Sequence, residues 1–388
     1  MSGRLRLAIC GDGRSPHTQR WANAFAERGH DVAVIWRRDQ LVPSATAGYV
    51  DTVQHDVVGG ELEPRKPWRE AGARRDARAL ARRLRPDLVH GLYLQQHGWT
   101  AHDLGIHPLV LSALGSDVVR LESDPPAGLR SRVVERYARG RTLAAVRAAD
   151  VLLCDSTDVS ARLERLAPGT QTEIVRFGVE PPAPDDAGWR ARLELASDDF
   201  VVLSSRLFKP NYNIHVIIES LPRLLASVPT AVLVLKEFEP FSDPVYRARC
   251  FELVDQLELR RSVRVVGELD PHDLRSLYAA ADVYVSVPSA DATAVSIFEA
   301  MAARVPVVAS RASGIDPQIL RDGETALLVE PGDAAGLAQA LTGLAEDPVG
   351  AGRIAEHGYA IYERLGSAAS EFDRAETIYR ELVARRGG

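Results

Sequence analysis

The sequence predicts an α/β protein made of two doubly wound domains facing a central cleft. Three observations carry this. Short apolar segments alternate with longer helical patterns, as expected for parallel sheets covered on both faces. The alternation breaks at the proline-rich stretch Pro181-Pro-Ala-Pro184, which reads as a linker, and then restarts. The chain, at 388 residues, also exceeds what one hydrophobic core usually supports. In the first half, strands are expected at Arg4–Cys10, Asp31–Trp36, Leu88–Gly91, Leu109–Ser112, Val151–Cys154 and Ile174–Phe177. Helices such as His17–Arg28, Trp68–Leu84 and Leu129–Ala148 lie between them. In the second half the strands are Phe200–Ser204, Ala231–Leu235, Val263–Val266, Val283–Val287, Val305–Ala309 and Ala326–Val329. Open α/β sheets bind ligands beyond the carboxyl ends of their strands, so the cleft is the expected site.

Composition narrows the class. A net charge of −6 gives no nucleic-acid footprint. Cys10, Cys154 and Cys250 are odd in number, far apart and without metal-ligand spacing, which argues against a disulfide scaffold or structural zinc and for the cytoplasm. There is no apolar run of about 18 residues, and Met1 leads almost directly into a strand, so membrane contact is expected to be at most peripheral. Basic charge is nearly all Arg, with Lys only at Lys66, Lys209 and Lys236. The run Arg74, Arg75, Arg78, Arg82, Arg83 and Arg85, interrupted by Asp76, reads as a solvated helix face, with an anionic membrane surface as the alternative.

The most informative segment is Ser286-Val-Pro-Ser-Ala-Asp291-Ala-Thr-Ala-Val-Ser-Ile-Phe-Glu299-Ala-Met-Ala-Ala-Arg-Val-Pro306-Val-Val-Ala-Ser310. A strand ends at Pro288 and Ser289, and an apolar helix begins near Thr293 or Ala294. The first turn offers the amides of Ala294, Val295 and Ser296 to an anion. Asp291 stands before that turn and Glu299 behind it.

This segment resembles the acidic-x7-acidic motif of retaining glycosyltransferases of family 4, where the first residue is usually Glu. Glu299-Ala-Met-Ala, Pro306-Val-Val-Ala-Ser, Ser313-Gly314-Ile315, Asp322-Gly323-Glu324-Thr325 and Glu330-Pro331-Gly332-Asp333 follow in the family's order. The resemblance implies the GT-B fold of two Rossmann-like domains. It implies residues 1–182 as an acceptor domain, 190–366 as a nucleotide-sugar donor domain, and a last helix, 367–388, crossing back to the first domain. A nucleotide-sugar is then the co-substrate, with no other cofactor and no metal required.

The first strand ends in Cys10-Gly11-Asp12-Gly13-Arg14-Ser15-Pro16-His17, where two glycines permit close approach and Ser15 or Thr18 caps the next helix. An ordinary strand-to-helix turn explains this equally well. Within the family the corresponding loop faces the donor diphosphate, which makes Gly11 and Gly13 donor candidates and Arg14 and His17 candidates to touch the acceptor, or else phosphate. Family members commonly carry a second histidine two residues after the position of His90, but here that residue is Leu92. His90 reads as a strand-end histidine satisfied by the backbone. The sugar-contacting role falls to His97, read as a loop residue, with Gln95 or backbone as alternatives. Asp117, in Gly115-Ser116-Asp117, holds an acceptor hydroxyl or caps a helix.

In the second half, Ser204-Ser205-Arg206-Leu207-Phe208-Lys209-Pro210-Asn211-Tyr212-Asn213 leaves a strand. Arg206 and Lys209 are candidates to neutralise a diphosphate. The family places Lys five residues after Arg, but Asn211 stands there, so either Lys209 reaches from a reshaped turn or Tyr212-Asn213 substitutes for the family's Lys-Gly. Lys236 is also in reach of the cleft, and Gly267 matches the place where backbone pairs with the base.

The resemblance implies same-face transfer in which Asp291 orients the sugar, Glu299 binds ribose, and Arg206, Lys209 and helix amides carry phosphate charge. UDP-sugar is the expected donor. The acceptor is a small molecule or glycan of secondary-metabolite or surface-polysaccharide assembly, and the protein is a monomer or homodimer. A degenerate nucleotide-sugar binding partner and a glycoside hydrolase are the rival readings, with a nucleotide-sugar epimerase behind them.

Overall fold

The computed structural model describes residues 3–37, 46, 48–58, 67–123, 128–176, 178–181, 188–291, 293–312 and 315–387. Phe177, positions 182–184 of the linker, Lys66, Ser313 and Gly314 lie outside them. The chain divides into two compact units, Met1–Phe177 with Glu371–Gly388, and Gly178–Ser370.

The first unit contains a seven-stranded sheet of β1 (Arg6–Cys10), β2 (Asp31–Arg37), β3 (Gln54–Val58), β4 (Leu88–Leu92), β5 (Leu109–Ala113), β6 (Val151–Cys154) and β7 (Thr172–Ile174). Its order is β3-β2-β1-β4-β5-β6-β7, and all pairings are parallel. The order reverses between β1 and β4, so the loops after these strands meet at a topological switch point. The expected strand Ile174–Phe177 lies earlier, at Thr172–Ile174, where register with Leu152–Cys154 fixes it. Helices α1 (Pro16–Glu27), α2 (Pro67–Leu84), α3 (His97–Leu104), α4 (Ser116–Glu122), α5 (Leu129–Ala148) and α6 (Thr157–Leu166) fill the crossovers. Ser15 starts α1 by accepting from the His17 amide at 3.3 Å, with Pro16 at the first turn.

The last helix, α14 (Ala368–Gly387), has all but its first turn in this unit. Phe372 meets Trp21 edge-on at 5.3 Å between centroids, and Tyr379 stacks on Phe25 at 5.0 Å. The Tyr379 hydroxyl accepts from Trp21 Nε1 at 2.9 Å and lies 2.6 Å from His90 Nδ1, while His90 Nε2 lies 2.8 Å from Ser112 Oγ. Indole nitrogen only donates, so the phenol proton points to His90 Nδ1 and His90 donates from Nε2 to Ser112. His90 is thus satisfied by side chains rather than by backbone.

The second unit holds α7 (Trp189–Arg192), β8 (Phe200–Ser204), α8 (Ile214–Ser227), β9 (Ala231–Lys236), α9 (Pro244–Gln256), β10 (Val263–Val266) and α10 (Pro271–Ala279). There follow β11 (Val283–Ser286), α11 (Val295–Ala302), β12 (Val307–Ser310), β13 (Leu327–Val329), α12 (Ala334–Glu346) and α13 (Pro348–Leu365). The parallel sheet runs β10-β9-β8-β11-β12-β13 and reverses between β8 and β11. Alternate residues of β8 enter two cores, Val201 and Leu203 on one face and Val202 on the other, which is why the strand reads as a continuous apolar run. Among the described residues no helix is long and apolar enough to cross a membrane.

Candidate functional site

The second unit's switch point gathers the loop after β8 and the loop after β11. Ser204 ends β8, and Arg206 follows with its side chain only 10 % exposed. Its guanidinium is ion-paired with Asp291, lies 3.9 Å from the Tyr212 ring centroid, and approaches Ser296 Oγ at 3.5 Å. Burial opposes the charge on Arg206, but Asp291, with Tyr284 and Tyr212 adding to it, holds the guanidinium above its usual range. The buried Arg206 Nε has no hydrogen-bond partner among the described residues. An orphaned buried donor is costly unless a ligand takes it.

Beside it, α11 begins at Val295 with Ala294 as its N-cap, and no side chain among the described residues caps it. The first-turn amides of Ala294, Val295 and Ser296, in a half-buried position, therefore have no side-chain acceptor among the described residues. Four residues into that helix, Glu299 accepts from the Tyr278 hydroxyl at 2.9 Å. Lys236, at the end of β9, lies 5.3 Å over the Phe238 ring, and desolvation lowers its pKa against the opposing charges of Glu299 and Glu268.

The turn after Arg206 is reshaped. Asn211 Nδ2 donates to the Ala290 carbonyl at 2.8 Å, and its own carbonyl accepts from the Ser289 amide at 2.9 Å. Asn213, at φ 53°, donates to the Val287 carbonyl at 3.0 Å and Ser289 Oγ at 2.9 Å. The two asparagines bind the loop that carries Asp291, while Tyr212 stacks on Arg206. Lys209 stands half-buried at the start of this turn. Gly267 is exposed, has an ordinary φ, and a Cβ there would meet nothing within 4 Å.

The first unit's switch point differs. A Cβ on Gly11 would come within 2.6 Å of Thr18 Oγ1, and one on Gly13 within 2.2 Å of the Trp36 ring. Glycine is required at both positions by packing alone. The Gly13 carbonyl accepts from the Tyr49 hydroxyl at 2.9 Å. Arg14 is held by Asp12 in a bidentate pair at 3.0 and 2.7 Å. Burial opposes ionisation of Asp12, yet Arg14, with His97 adding to it, holds its carboxyl below the usual range. His17 is pushed down to about 4 by desolvation and by Arg20.

After β4, Tyr93 at φ 94° and Gln96 at φ 41° adopt backbone conformations rare for such residues. That turn starts α3 at once, so His97 is the first residue of a helix rather than part of a loop. Asp117 is buried, and its two oxygens accept from the amides of Leu94, Leu114 and Val118, each at 3.0 Å. Asp117 is the second residue of α4, whose N-cap is Gly115, so it ties the loops after β4 and β5 together rather than serving as a helix cap. Gln95 donates to the Asp117 carbonyl at 3.0 Å.

Several family-order segments are turns of the scaffold. Ser310 Oγ donates to the Pro288 carbonyl at 2.6 Å, Thr325 Oγ1 to that of Ile319 at 2.7 Å, and Asp333 caps α12. Sequence reasoning missed Ser205, Tyr278 and Tyr284, and named Tyr212 only with Asn213 as a substitute for Lys-Gly, not as the ring that stacks on Arg206. A tyrosine on an apolar helix face must place its hydroxyl somewhere, and Tyr278 carried that signal.

The glycosyl transferases group 1 family matches residues 185–361, and the glycosyl transferase 4-like family matches residues 6–152. The chain is 27% identical over 414 aligned positions to a glycogen synthase of Mycobacterium tuberculosis, covering 98% of this chain and 93% of that one. It is 28% identical to a D-inositol 3-phosphate glycosyltransferase of Nocardia farcinica, covering 86% and 77%. The fold matches crystalline Anabaena HepE in complex with UDP-glucose, with a TM-score of 0.74, 18% identity, and coverage of 97% and 99%.

Proposed function

Because this chain belongs to the glycosyl transferases of group 1 and is a glycosyltransferase of the GT-B fold, we propose that it moves a hexose or amino-hexose from a UDP-sugar to an acceptor hydroxyl with retention. The observation that carries the reading is the buried Arg206 guanidinium, with one unpartnered N–H, beside the uncapped start of α11. A donor diphosphate brings about two negative charges, and such a pair of features suits it.

In this reading Arg206, Lys209 and the amides of Ala294, Val295 and Ser296 bear the diphosphate. Asp291, released in part from Arg206, orients the sugar, Glu299 takes the ribose, and the Gly267 backbone meets the base. Gly11 and Gly13 approach the donor, His97 the transferred sugar, and Arg14 and His17 the acceptor. The sugar–phosphate bond breaks as the acceptor oxygen bonds to the anomeric carbon on the same face, and the acceptor proton passes to the departing phosphate oxygen. The charge on the leaving group is assigned to protein donors, without a metal. UDP is favoured as the nucleotide because HepE binds UDP-glucose.

Small polyols, phosphorylated polyols and glycans are the acceptor class, given the inositol phosphate and glycogen named for the two relatives. Surface-polysaccharide or secondary-metabolite assembly is the setting we infer. The free, buried Cys10, Cys154 and Cys250 suit a cytoplasmic enzyme.

The test is UDP release from UDP-glucose in the presence of myo-inositol 3-phosphate, simple polyols or glucan, followed by proton NMR of the product's anomeric centre. An α-linked product is expected. A β-linked product would overturn retention, and transfer from GDP- or ADP-sugar alone would overturn the nucleotide.

A further inference from the structure

The Glu299 carboxylate of the second unit's site is joined to a buried chain of hydroxyls. Tyr278 is 1% exposed, and its phenol oxygen lies 2.9 Å from Glu299 Oε2 and 2.6 Å from Ser205 Oγ. Ser205 Oγ lies 3.3 Å from the hydroxyl of Tyr284, itself fully buried. Nearby, Ser296 meets Arg206, the partner of Asp291.

Donor counting fixes the direction at the Glu299 end. An ionised carboxylate only accepts, so the Tyr278 proton points to Glu299, and Ser205 must donate to the Tyr278 oxygen. Tyr284 can then donate to Ser205. Burial, with the Glu299 charge beside it, holds the Tyr278 phenol far above its usual range, so it stays a donor at any working pH. α10 supplies Tyr278 and α11 supplies Glu299, so this bond fixes a half-buried carboxylate from a neighbouring helix.

We propose that Tyr278, backed by Ser205, is a positioning residue that holds the Glu299 carboxylate in the orientation in which it receives the donor's ribose hydroxyls. This rests on the reading of Glu299 as the ribose ligand. Tyr278 touches no substrate. Its effect is on how well the site distinguishes ribose from deoxyribose, because a Glu299 carboxylate that loses the Tyr278 bond is held less well in the geometry that rewards both hydroxyls.

The experiment is calorimetric binding of UDP and 2′-deoxy-UDP to the full chain, to Glu299→Ala, to Tyr278→Phe and to Ser205→Ala, with melting curves for each. The wild-type protein is expected to prefer the ribonucleotide about tenfold, and Glu299→Ala to erase that preference. Tyr278→Phe is expected to lower the preference by about fivefold, as for the loss of one hydrogen bond on the binding side. If Tyr278→Phe melts too low to measure, Ser205→Ala reports the same effect in smaller degree from the other end of the bond. A ribose preference that disappears in Glu299→Ala but persists in full in Tyr278→Phe and Ser205→Ala would overturn the role of Tyr278 and leave Glu299 as the ribose ligand. A ribose preference absent from the wild type, or kept by Glu299→Ala, would overturn the Glu299 reading and the inference with it.

Discussion

At the end of β5, Asp117 receives three backbone amides, and nearby His90 is bonded at both ring nitrogens. At the end of β8, Arg206 keeps a buried N–H with no partner among the described residues, and the neighbouring helix start has no side-chain cap. The two switch points share a topology, each at the reversal of a parallel sheet, yet Asp117 and His90 at the first are bonded within the protein, whereas the Arg206 Nε at the second is not. Saturated polar groups hold loops in shape. Unsaturated ones, where burial makes their condition costly, mark where a ligand completes the structure.

The largest effect separating the two regions is expected at Arg206. Arg206→Ala should lower kcat about a hundredfold or more, as for loss of a preorganised donor to developing charge, with the melting temperature nearly unchanged. Steady-state kinetics beside a thermal melt checks this, and full activity in a folded variant would remove Arg206 from the site. The reverse pattern is expected at Tyr379 in the first unit. Tyr379→Phe leaves Trp21 Nε1 and His90 Nδ1 without their shared partner, at about 1–3 kcal/mol of unfolding free energy in urea, with kcat unaltered.

The glycines sharpen the comparison. Gly13→Ala drives a methyl group into the Trp36 ring and should cost about 1–3 kcal/mol of stability. Gly267→Ala meets open space, so it should leave urea unfolding within about 0.5 kcal/mol of wild type while weakening nucleotide binding. Equal destabilisation by both would break the distinction.

A smaller effect is expected with pH. His90 and His17 sit at about 3 and about 4 in the folded protein, below the unfolded value of about 6.5. Because the folded values are depressed, the stability they contribute is complete above about pH 6.5 and is lost as pH falls toward those values. Asp117 runs the other way, since burial raises it to about 6, so its contribution is present at low pH and lost as pH rises through that value. With two histidines against one carboxylate, unfolding free energy should fall between pH 6.5 and 4.5, and the slope should flatten in His90→Gln. A rise over that range would contradict neutral buried histidines.

The alternation of apolar strands made the two sheets legible, because parallel strands buried on both faces leave a continuous run. β3 was not legible, since Gln54-His-Asp-Val-Val58 is partly exposed at a sheet edge and carries three polar residues. α3 was hidden by its unusual start, a turn through positive φ at Gln96 that no residue type announces. At the candidate site, Asp291, Glu299 and Arg206 were readable from spacing and from the ends of strands. Tyr278 and Ser205 were not, because a hydroxyl's partner depends on two helices and a strand brought together only by folding. Asn211 and Asn213 explain the missing lysine position, since both side chains bind the loop that carries Asp291.

The central claim is that the donor's diphosphate sits on Arg206 and the start of α11, and the most direct measurement is calorimetric binding of UDP and of uridine to wild type and to Arg206→Ala. The account predicts that wild type binds UDP far more tightly than uridine, and that Arg206→Ala loses most of that difference while binding uridine as before. An Arg206→Ala protein that keeps the full UDP advantage, or a wild type that binds UDP no better than uridine, would contradict it.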